Sequence, residues 1–413
     1  MFERYLAKLK DIRYCAEKGA RVLVRIDINS PIGRRGEVLD DFRIQRHSKT
    51  LRWLAEQGAR VVAMSHQGRP GQDDFTSLEK HRDLLEKYMG MEVKFVDDVM
   101  GPAAREAIKS LAPGEVLLLD NTRFISEEII ERKLELQTET HLVKKLAPLF
   151  NYFVFDGFAV AHRAQPSVVG FPQVLPSCMG MVLEDELRAL AEIEKAGGSA
   201  VLVAGGAKIP ETLRLVGEAL EKKLFGKVLT GGLLGLVFIA ARHGFVTPAL
   251  KSTLESYGLL SYVDQARRIM EKWGSCIEIP VDVAIDIEGE RIEVDVFSIS
   301  GEVKDVGSSS VRAFADALRA FDVAVFTGPL GYIESEAFTK ASAALLDEAV
   351  ELNKKVIIGG GHTVALARRI GVLERVFHAS TGGRAFLEAL VYGDLPALRA
   401  LEISAEKFWG GDR

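Results

Sequence analysis

Cysteine, net charge and long apolar segments are all scarce in this sequence, and each shortage excludes a class of protein. The 413 residues include three isolated cysteines, Cys15, Cys178 and Cys276. Their odd number and wide spacing argue against a disulfide framework or a zinc knuckle and fit a reducing cytosol. The formal net charge of -5 gives no overall attraction to nucleic acid or to an anionic membrane. The longest apolar run, near residues 231–241, is about half the ~20 residues that span a bilayer. We therefore expect a soluble cytoplasmic protein without a nucleic-acid or membrane partner.

Two common nucleotide-binding motifs are also missing from the sequence. The only Gly-Lys dipeptide, Gly226-Lys227, is followed by Val228, so a Walker-type loop is excluded. We find no clean G-x-G-x-x-G motif, and its absence disfavours a dinucleotide-dependent dehydrogenase. Any phosphate must be held by local arginines and by glycine-rich corners at helix starts.

Short apolar runs, each followed by a longer segment of helical period, are what the sequence does contain. The chain is long enough for two domains. The runs are continuous rather than alternating, which indicates strands buried on both faces of a sheet. Helical segments between them, such as residues 334–353, predict an α/β protein with parallel sheets built from βαβ units. The predicted strands cover residues 21–28, 60–65, 116–119, 152–155, 200–204, 227–230, 322–326 and 355–358.

A domain boundary is predicted after residues 171–176, where two prolines interrupt regular structure. An amphipathic segment follows at residues 183–195, with Leu183, Leu187 and Leu190 on one face. We interpret this segment as a helix that connects two domains.

Basic and polar side chains follow the predicted strands of the first half. Ligands of parallel sheets bind at the carboxyl ends of strands, so these side chains are candidates for one shared site. Arginine suits an anion because its planar fork can hold phosphate or carboxylate oxygens through two hydrogen bonds. A single arginine can equally be a surface ion pair, but the pattern recurs at four strand ends. The segments are residues 27–29, 65–69, 120–123 and 156–163, with Arg43 nearby.

Glycine pairs follow the predicted strands of the second half. Glycine lets backbone approach a ligand closely, and the helix that begins next offers its positive end. One Gly-Gly pair is usually a tight turn, whereas five such corners favour a polyphosphate site. The corners are residues 205–208, 230–232, 327–331, 359–362 and 381–384. A basic anion site in one lobe and a glycine-rich phosphate site in the other suit phosphoryl transfer between two bound substrates.

These strand-end motifs resemble the signatures of the phosphoglycerate kinase family, over essentially the full chain. One such motif is weak, but eight in the family's order are specific. The matching segments are residues 25–31, 65–70, 118–124, 156–164, 205–209, 327–334, 359–363 and 380–383.

The resemblance implies two Rossmann-like α/β domains with parallel sheets, joined by a helix and a hinge. It implies a phosphoglycerate-binding domain over residues 1–176 and a nucleotide-binding domain over residues 177–394. The segment 395–413 is expected to return to the N-terminal domain. The implied reaction is reversible and Mg²⁺-dependent: 1,3-bisphosphoglycerate and ADP give 3-phosphoglycerate and ATP, by direct in-line transfer after hinge closure. We expect a monomer of archaeal type.

Residue roles follow from the matching positions. Arg43 and Lys208 are expected to neutralise charge on the moving phosphoryl group. The phosphoglycerate ligands are expected to be Asp27, Asn29, Arg43, His66, Arg69, Arg123 and Arg163. The nucleotide contacts are expected to be Gly206, Lys208, Gly232, Pro329, Glu334, Gly359, Gly360, Gly361, His362 and Thr363. No residue is assigned to the metal, since Mg²⁺ is expected to bind with the nucleotide.

Three positions depart from the commonest family pattern. Thr212 stands where a second lysine often follows Lys208, His362 replaces an aspartate that helps to hold the Mg-nucleotide, and Arg384 replaces a third glycine. Because histidine lacks the oxygen ligand that Mg²⁺ prefers, we expect His362 to contact a phosphate or water instead. Two rival functions stay open: a catalytically silent nucleotide or sugar-phosphate binder on the same scaffold, and a kinase with another acceptor.

Overall fold

The chain divides into two compact units. The computed structural model describes residues 1–410, apart from the side chain of Arg384. The first unit comprises Met1–Arg188 together with the segment that begins at Tyr392, and the second comprises Ala189–Val391. The sequence prediction divided the chain instead after residue 176 and after residue 394. The first contact boundary falls inside the predicted connecting helix.

The first unit is built on a six-stranded parallel sheet. Its strands are β1 (Arg21–Arg25), β2 (Arg60–Met64), β3 (Val93–Val96), β4 (Val116–Leu119), β5 (Tyr152–Phe155) and β6 (Ser177–Met179). Its helices up to the boundary are α1 (Phe2–Lys8), α2 (Phe42–Glu56), α3 (Glu79–Met89), α4 (Pro102–Ser110), α5 (Leu134–Gln137), α6 (His141–Leu146) and α7 (Met181–Ala196). The strand order is β3-β4-β2-β1-β5-β6, so the chain reverses its direction of growth beside β1.

Helix α2 packs on one face of this sheet. Its apolar stripe includes Ile44, Leu51 and Leu54, all fully buried against side chains of β1, β2 and β4. Both faces of β1 are covered, since Val22 and Leu23 are each 0% exposed although they point to opposite faces. This burial explains why the strand sequences are continuously apolar.

The second unit is built on another six-stranded parallel sheet. It also contains a smaller antiparallel sheet, whose three strands come between the third and fourth strands of the parallel sheet in the sequence. Its strands are β7 (Ala200–Ala204), β8 (Lys227–Thr230), β9 (Ile277–Glu278), β10 (Asp282–Ile287), β11 (Glu290–Asp295), β12 (Glu302–Val306), β13 (Val323–Thr327), β14 (Lys355–Gly359) and β15 (His378–Ala379). Its helices are α8 (Ile209–Glu221), α9 (Gly232–His243), α10 (Pro248–Ser256), α11 (Leu260–Trp273), α12 (Ser308–Leu318), α13 (Lys340–Glu351), α14 (Gly361–Arg369) and α15 (Arg384–Tyr392). The parallel order β15-β14-β13-β7-β8-β9 is that of dinucleotide-binding sheets, which reverse direction between their first and fourth strands. The predicted α/β class with parallel sheets is confirmed.

Two details of the second unit differ from the sequence prediction. The antiparallel sheet β11-β10-β12 was not predicted, because its strands carry charged residues such as Glu290 and Glu293 and lie partly exposed. The helix predicted over residues 334–353 begins later, at Lys340. Residues before it form turns, and Ala341 at the helix start donates its backbone N–H to Asp305 Oδ2 at 3.1 Å.

The last helix, α16 (Pro396–Trp409), belongs to the first unit. It packs on β6 and on the turns between Pro166 and Gln173, and its Ala397 N–H bonds to Ala161 O at 3.1 Å. Ion pairs join it to α1, including Lys8–Glu406 at 2.8 Å. Residues 411–413 of the predicted returning segment lie outside the described residues.

A disulfide joins Cys15 to Cys178, and the prediction of three unpaired cysteines was therefore wrong. The two residues are 163 positions apart, so their spacing gave no sign of pairing. The fold brings them together because the segment near Asp11 runs parallel to β6, with Met179 N–H bonded to Lys10 O at 2.8 Å. Cys276 is the free cysteine.

Across residues 1–410, we find no helix that combines the length and apolarity needed to cross a membrane.

Candidate functional site

The carboxyl ends of β1, β2, β4 and β5 border one polar cavity of about 680 Å³ in the first unit. Loops after these strands carry the predicted phosphoglycerate ligands, and parallel strands end at the same edge of the sheet. Five of the seven line the cavity directly: Asn29, His66, Arg69, Arg123 and Arg163. Gly68, Gly71, Gln72, Asp73 and Asp74 complete the lining.

The other two predicted ligands, Asp27 and Arg43, hold each other beside this cavity. Arg43 Nη1 lies 2.9 Å from Asp27 Oδ2 and 3.0 Å from the backbone oxygen of Asn29. Although burial alone would raise the pKa of Asp27, the positive charge of Arg43, with a smaller effect of Arg25, lowers it to about 2. Asp27 is thus a carboxylate at neutral pH, and it orients Arg43 on α2.

A fully buried arginine fixes the hydrogen-bonding role of His66. Arg25 Nη2 lies 3.2 Å from His66 Nδ1, and a guanidinium can only donate, so Nδ1 must accept. Asp27 Oδ1 is 3.7 Å from the same nitrogen, beyond hydrogen-bond distance. Burial lowers the pKa of His66 well below its usual value, with nearby arginines adding to the effect. The ring is therefore neutral, and Nε2 carries the hydrogen that it can donate to an anion.

Arg25 is the main member of the site that sequence analysis missed. Its Nε donates to Ser167 Oγ at 2.8 Å, and Nη2 lies 3.9 Å from Glu128 Oε1, where both charged side chains are 0% exposed. Glu128 in turn accepts the backbone N–H of Ser167 at 3.1 Å. The available signal was a charged residue that ends an otherwise apolar strand, because a buried charge needs a partner.

Positive charge accumulates where Arg123 and Arg163 meet the cavity. Burial, together with the neighbouring charges of Arg163 and Arg25, lowers the pKa of Arg123 to about 10, so the side chain stays charged at neutral pH. Arg123 donates to the backbone oxygen of Gly68, whose N–H bonds to Asn29 Oδ1 at 2.8 Å. The cavity thus combines cationic donors with a neutral histidine that can also donate a hydrogen bond, which suits an anionic ligand.

In the second unit, two glycine-rich loops meet at the switch point between β7 and β13. Gly206 donates its N–H to Pro329 O at 2.8 Å, and a Cβ on Gly205 would lie 2.1 Å from the same oxygen. A Cβ on Gly232 would lie 3.5 Å from both Gly206 N and Pro329 O. Three predicted nucleotide residues are therefore neighbours, at the position where such sheets bind phosphate-containing ligands.

The loop after β14 leads directly into α14. Gly360 has φ of 95°, a left-handed conformation that favours glycine, and Gly361 begins the helix after Gly359 ends the strand. His362 is exposed in the first turn. Thr363 is 3% exposed, and its Oγ1 has no hydrogen-bond partner among the residues that the structure describes. Free backbone N–H groups and this hydroxyl make the start of α14 suited to an anion.

Two predicted nucleotide residues have exposed side chains. Lys208 lies at the N-cap of α8, and Glu334 lies in the turn between β13 and α13. The backbone of that turn is held by Arg369, which donates to Ile333 O at 3.2 Å.

Comparison with known proteins covers nearly the whole chain. The sequence model described as "Phosphoglycerate kinase" matches residues 10–392. The chain is 50% identical over 401 residues to a phosphoglycerate kinase of Pyrobaculum aerophilum, covering 97% of each chain. It is 44% identical to that of Saccharolobus solfataricus, covering 93% of this chain and 94% of the relative. The crystal structure of the phosphoglycerate kinase from Pyrococcus horikoshii OT3 is similar, with a TM-score of 0.90 at 35% identity, over 97% of this chain and 100% of the other. The chain belongs to the phosphoglycerate kinase family.

Proposed function

We propose that this protein transfers a phosphoryl group reversibly between 1,3-bisphosphoglycerate and ADP, giving 3-phosphoglycerate and ATP, as a kinase of glycolysis and gluconeogenesis. The observation that carries the proposal is the cavity of the first unit, where His66, Arg69, Arg123 and Arg163 surround one space. A phosphorylated three-carbon acid with two anionic ends suits this density of cationic donors.

The first unit is proposed to hold the phosphoglycerate. Arg69, Arg123 and Arg163 would bind its phosphate and carboxylate oxygens, and His66 would donate through Nε2. Asn29 accepts the N–H of Gly68 through its Oδ1, which leaves its amide N–H groups for the ligand. Arg43 is proposed to approach the reacting carboxylate, oriented by its ion pair with Asp27.

The second unit is proposed to hold the nucleotide. Gly206 and Gly232 would allow its phosphates to approach the backbone beside β7 and β8, with Pro329 near the base and Glu334 on the ribose. The start of α14, residues 359–363, would receive phosphate through its free N–H groups and through the Thr363 hydroxyl, which supports the proposal because it has no partner among residues 1–410.

Mg²⁺ is assigned to the nucleotide substrate rather than to the chain. His362 offers nitrogen where Mg²⁺ prefers oxygen, so it does not fit as a ligand. Mg²⁺ would therefore arrive with ATP or ADP through phosphate oxygens, where it neutralises phosphate charge.

The residues of the chain act by alignment and charge. Phosphoryl transfer needs little covalent help, so catalysis depends on holding both substrates in line and on neutralising the equatorial oxygens. Arg43 and Lys208 are proposed to provide that neutralisation, and no phosphoenzyme is needed. We propose that domain closure brings the two substrates together and excludes water, which protects the acyl phosphate. We also propose that the protein is a monomer and acts in the cytoplasm.

A coupled assay with 3-phosphoglycerate and MgATP tests this function. Lys208→Ala should lower kcat about 100-fold or more, the usual loss when one preorganised donor to the transition state is removed. Lys251→Ala is a matched control, because this exposed lysine on α10 pairs only weakly with Glu255, at 3.8 Å. No turnover by the unsubstituted protein would reject the kinase function in favour of a silent binder.

A further inference from the structure

A histidine on α2 occupies a position that the helical pattern reserves for apolar residues. His47 lies on the buried stripe with Ile44, Leu51 and Leu54, and it is 0% exposed. The binding cavity is not lined by this residue, and the reaction proposed above gives it no role. A fully buried imidazole is costly unless both of its nitrogens are hydrogen-bonded, so its partners indicate what it does.

One nitrogen of His47 holds the backbone of Asp27. The N–H of Asp27 points to His47 Nε2 at 3.3 Å, and a backbone N–H can only donate. Nε2 must therefore accept, and the single hydrogen of the neutral ring is on Nδ1. A doubly protonated ring would leave two donors facing each other, so the contact also requires a neutral ring.

The other nitrogen of His47 is held by a buried carboxylate. Nδ1 lies 2.9 Å from Asp156 Oδ2, so its hydrogen is donated to Asp156. The second oxygen of Asp156 accepts the N–H groups of Val182 at 2.8 Å and of Leu183 at 3.2 Å, in the first turn of α7. Each group in this series of hydrogen bonds therefore has a defined role as donor or acceptor. The series runs from the start of α7 through Asp156 and His47 to Asp27.

Two side chains of helix α2, one helical turn apart, form hydrogen bonds with Asp27. Arg43 donates to the carboxylate at 2.9 Å, and His47, four residues later, accepts the backbone N–H. Arg43 also bonds to the backbone oxygen of Asn29, so the binding loop is held from one rigid element. Loss of the His47 contact would leave a buried N–H unsatisfied and free the loop to shift.

We infer that His47 is a positioning residue for phosphoglycerate binding, which fixes the loop of Asp27 and Asn29 through the Asp27 backbone and is itself fixed by Asp156. This inference rests on the proposed kinase function. It assigns to His47 no contact with either substrate.

Two amide substitutions separate the two hydrogen bonds of His47. In His47→Asn the amide nitrogen reaches only the place of Nδ1, so the bond to Asp156 can persist while Asp27 loses its acceptor. In His47→Gln the amide oxygen reaches the place of Nε2 and can still accept from Asp27. The two variants have the same functional group and both disturb the core, so a merely structural role would affect them alike.

The assay measures KM for 3-phosphoglycerate at saturating MgATP, well below the melting temperature. We expect His47→Asn to raise this KM about tenfold, the effect of one unsatisfied buried donor, and His47→Gln to raise it about threefold or less. KM for MgATP should stay unchanged in both. Ser48→Ala is the control: it removes another buried polar group from α2, which bonds Gln45 O at 2.8 Å, and should leave both KM values unchanged.

Equal KM values for 3-phosphoglycerate in the two His47 variants would overturn the inference. If the unsubstituted protein turns over and the variants agree, only the inference fails, whereas no turnover by the unsubstituted protein rejects the proposed function. If a variant turns over too slowly for KM to be measured, its affinity is compared by thermal shift. The quantity compared is then the concentration of 3-phosphoglycerate that gives a set rise in melting temperature.

A measurement on the unsubstituted protein keeps the inference testable if either variant fails to fold. Among the eight histidines, nitrogen NMR should show a ring that carries its hydrogen on Nδ1. This signal is assigned to His47 by its absence from a folded His47 variant or through the hydrogen bond of the ring to Asp156. A His47 ring that carries its hydrogen on Nε2 would contradict the inference.

Discussion

Removal of the Cys15–Cys178 disulfide should destabilise the first unit strongly. The link closes a segment with a sequence separation of 163 residues, and the loss of loop entropy in the unfolded chain then amounts to about 5 kcal/mol at 25 °C. For a unit of this size, 1 kcal/mol shifts the melting temperature by about 2–4 °C. The Cys15→Ala/Cys178→Ala variant should therefore melt about 10–20 °C lower than the oxidised protein.

Two controls separate the covalent link from the packing of the side chains. Both cysteines are buried in the core of the first unit, so alanine also removes sulfur atoms from contact. The unsubstituted chain, reduced in denaturant and refolded in reductant, keeps those atoms and should show most of the same loss by calorimetry. Thiol titration in denaturant should detect one free thiol before reduction and three after it, since Cys276 is unpaired. Three free thiols in the purified protein, or equal melting temperatures with and without the link, would refute this reasoning.

Three further predictions concern buried charges and the nucleotide corner. Burial raises the pKa of Asp305 to about 6, so the folded state binds a proton more tightly than the unfolded state, and stability should fall by about 3 kcal/mol as pH rises from about 4 to about 6. Asp305→Asn should remove this dependence, so its melting temperature should exceed that of the unsubstituted protein above pH 7 but not at pH 4; a difference independent of pH would contradict the prediction. Arg25→Met should lower the free energy of unfolding by about 3–5 kcal/mol, because Glu128 stays buried without its partner. Adding Glu128→Gln should recover most of that loss in denaturant unfolding. Additive losses of the two substitutions would exclude the coupling. His362→Asp should change the Mg²⁺ dependence of turnover with KM for 3-phosphoglycerate nearly unchanged, and an equal change in both would refute the assigned position.

The central strands could be predicted because they are buried on both faces. β4, β5, β7 and β8 have the predicted bounds, since continuous apolar runs arise where helices cover both sides of a sheet. Edge strands lack this signal: β3 contains the half-buried Lys94 and was missed.

The candidate site was predictable where chemistry shows at strand ends, and not where it is buried. The five arginine, histidine and asparagine side chains that line the cavity follow apolar strands in the sequence. Arg25 lies inside a predicted strand, whereas His47 and Glu128 lie in segments for which no element was predicted. Their roles depend on partners distant in the chain, such as Ser167 and Asp156. Sequence spacing carries no information on such pairs, just as it carried none on the disulfide.

Because α16 completes the first unit, that unit cannot finish folding until residues beyond the second unit have been synthesised. The second unit is continuous, Ala189–Val391, and is synthesised whole before the helix at Pro396–Trp409 is made. At ~5–20 residues per second, synthesis of the second unit takes roughly 10–40 s. During that time β6 and the turns up to Gln173 lack the helix that covers them. The nascent chain therefore carries an exposed apolar surface on its first unit while its second unit is synthesised. The core that is made first is covered only after α16 has been made.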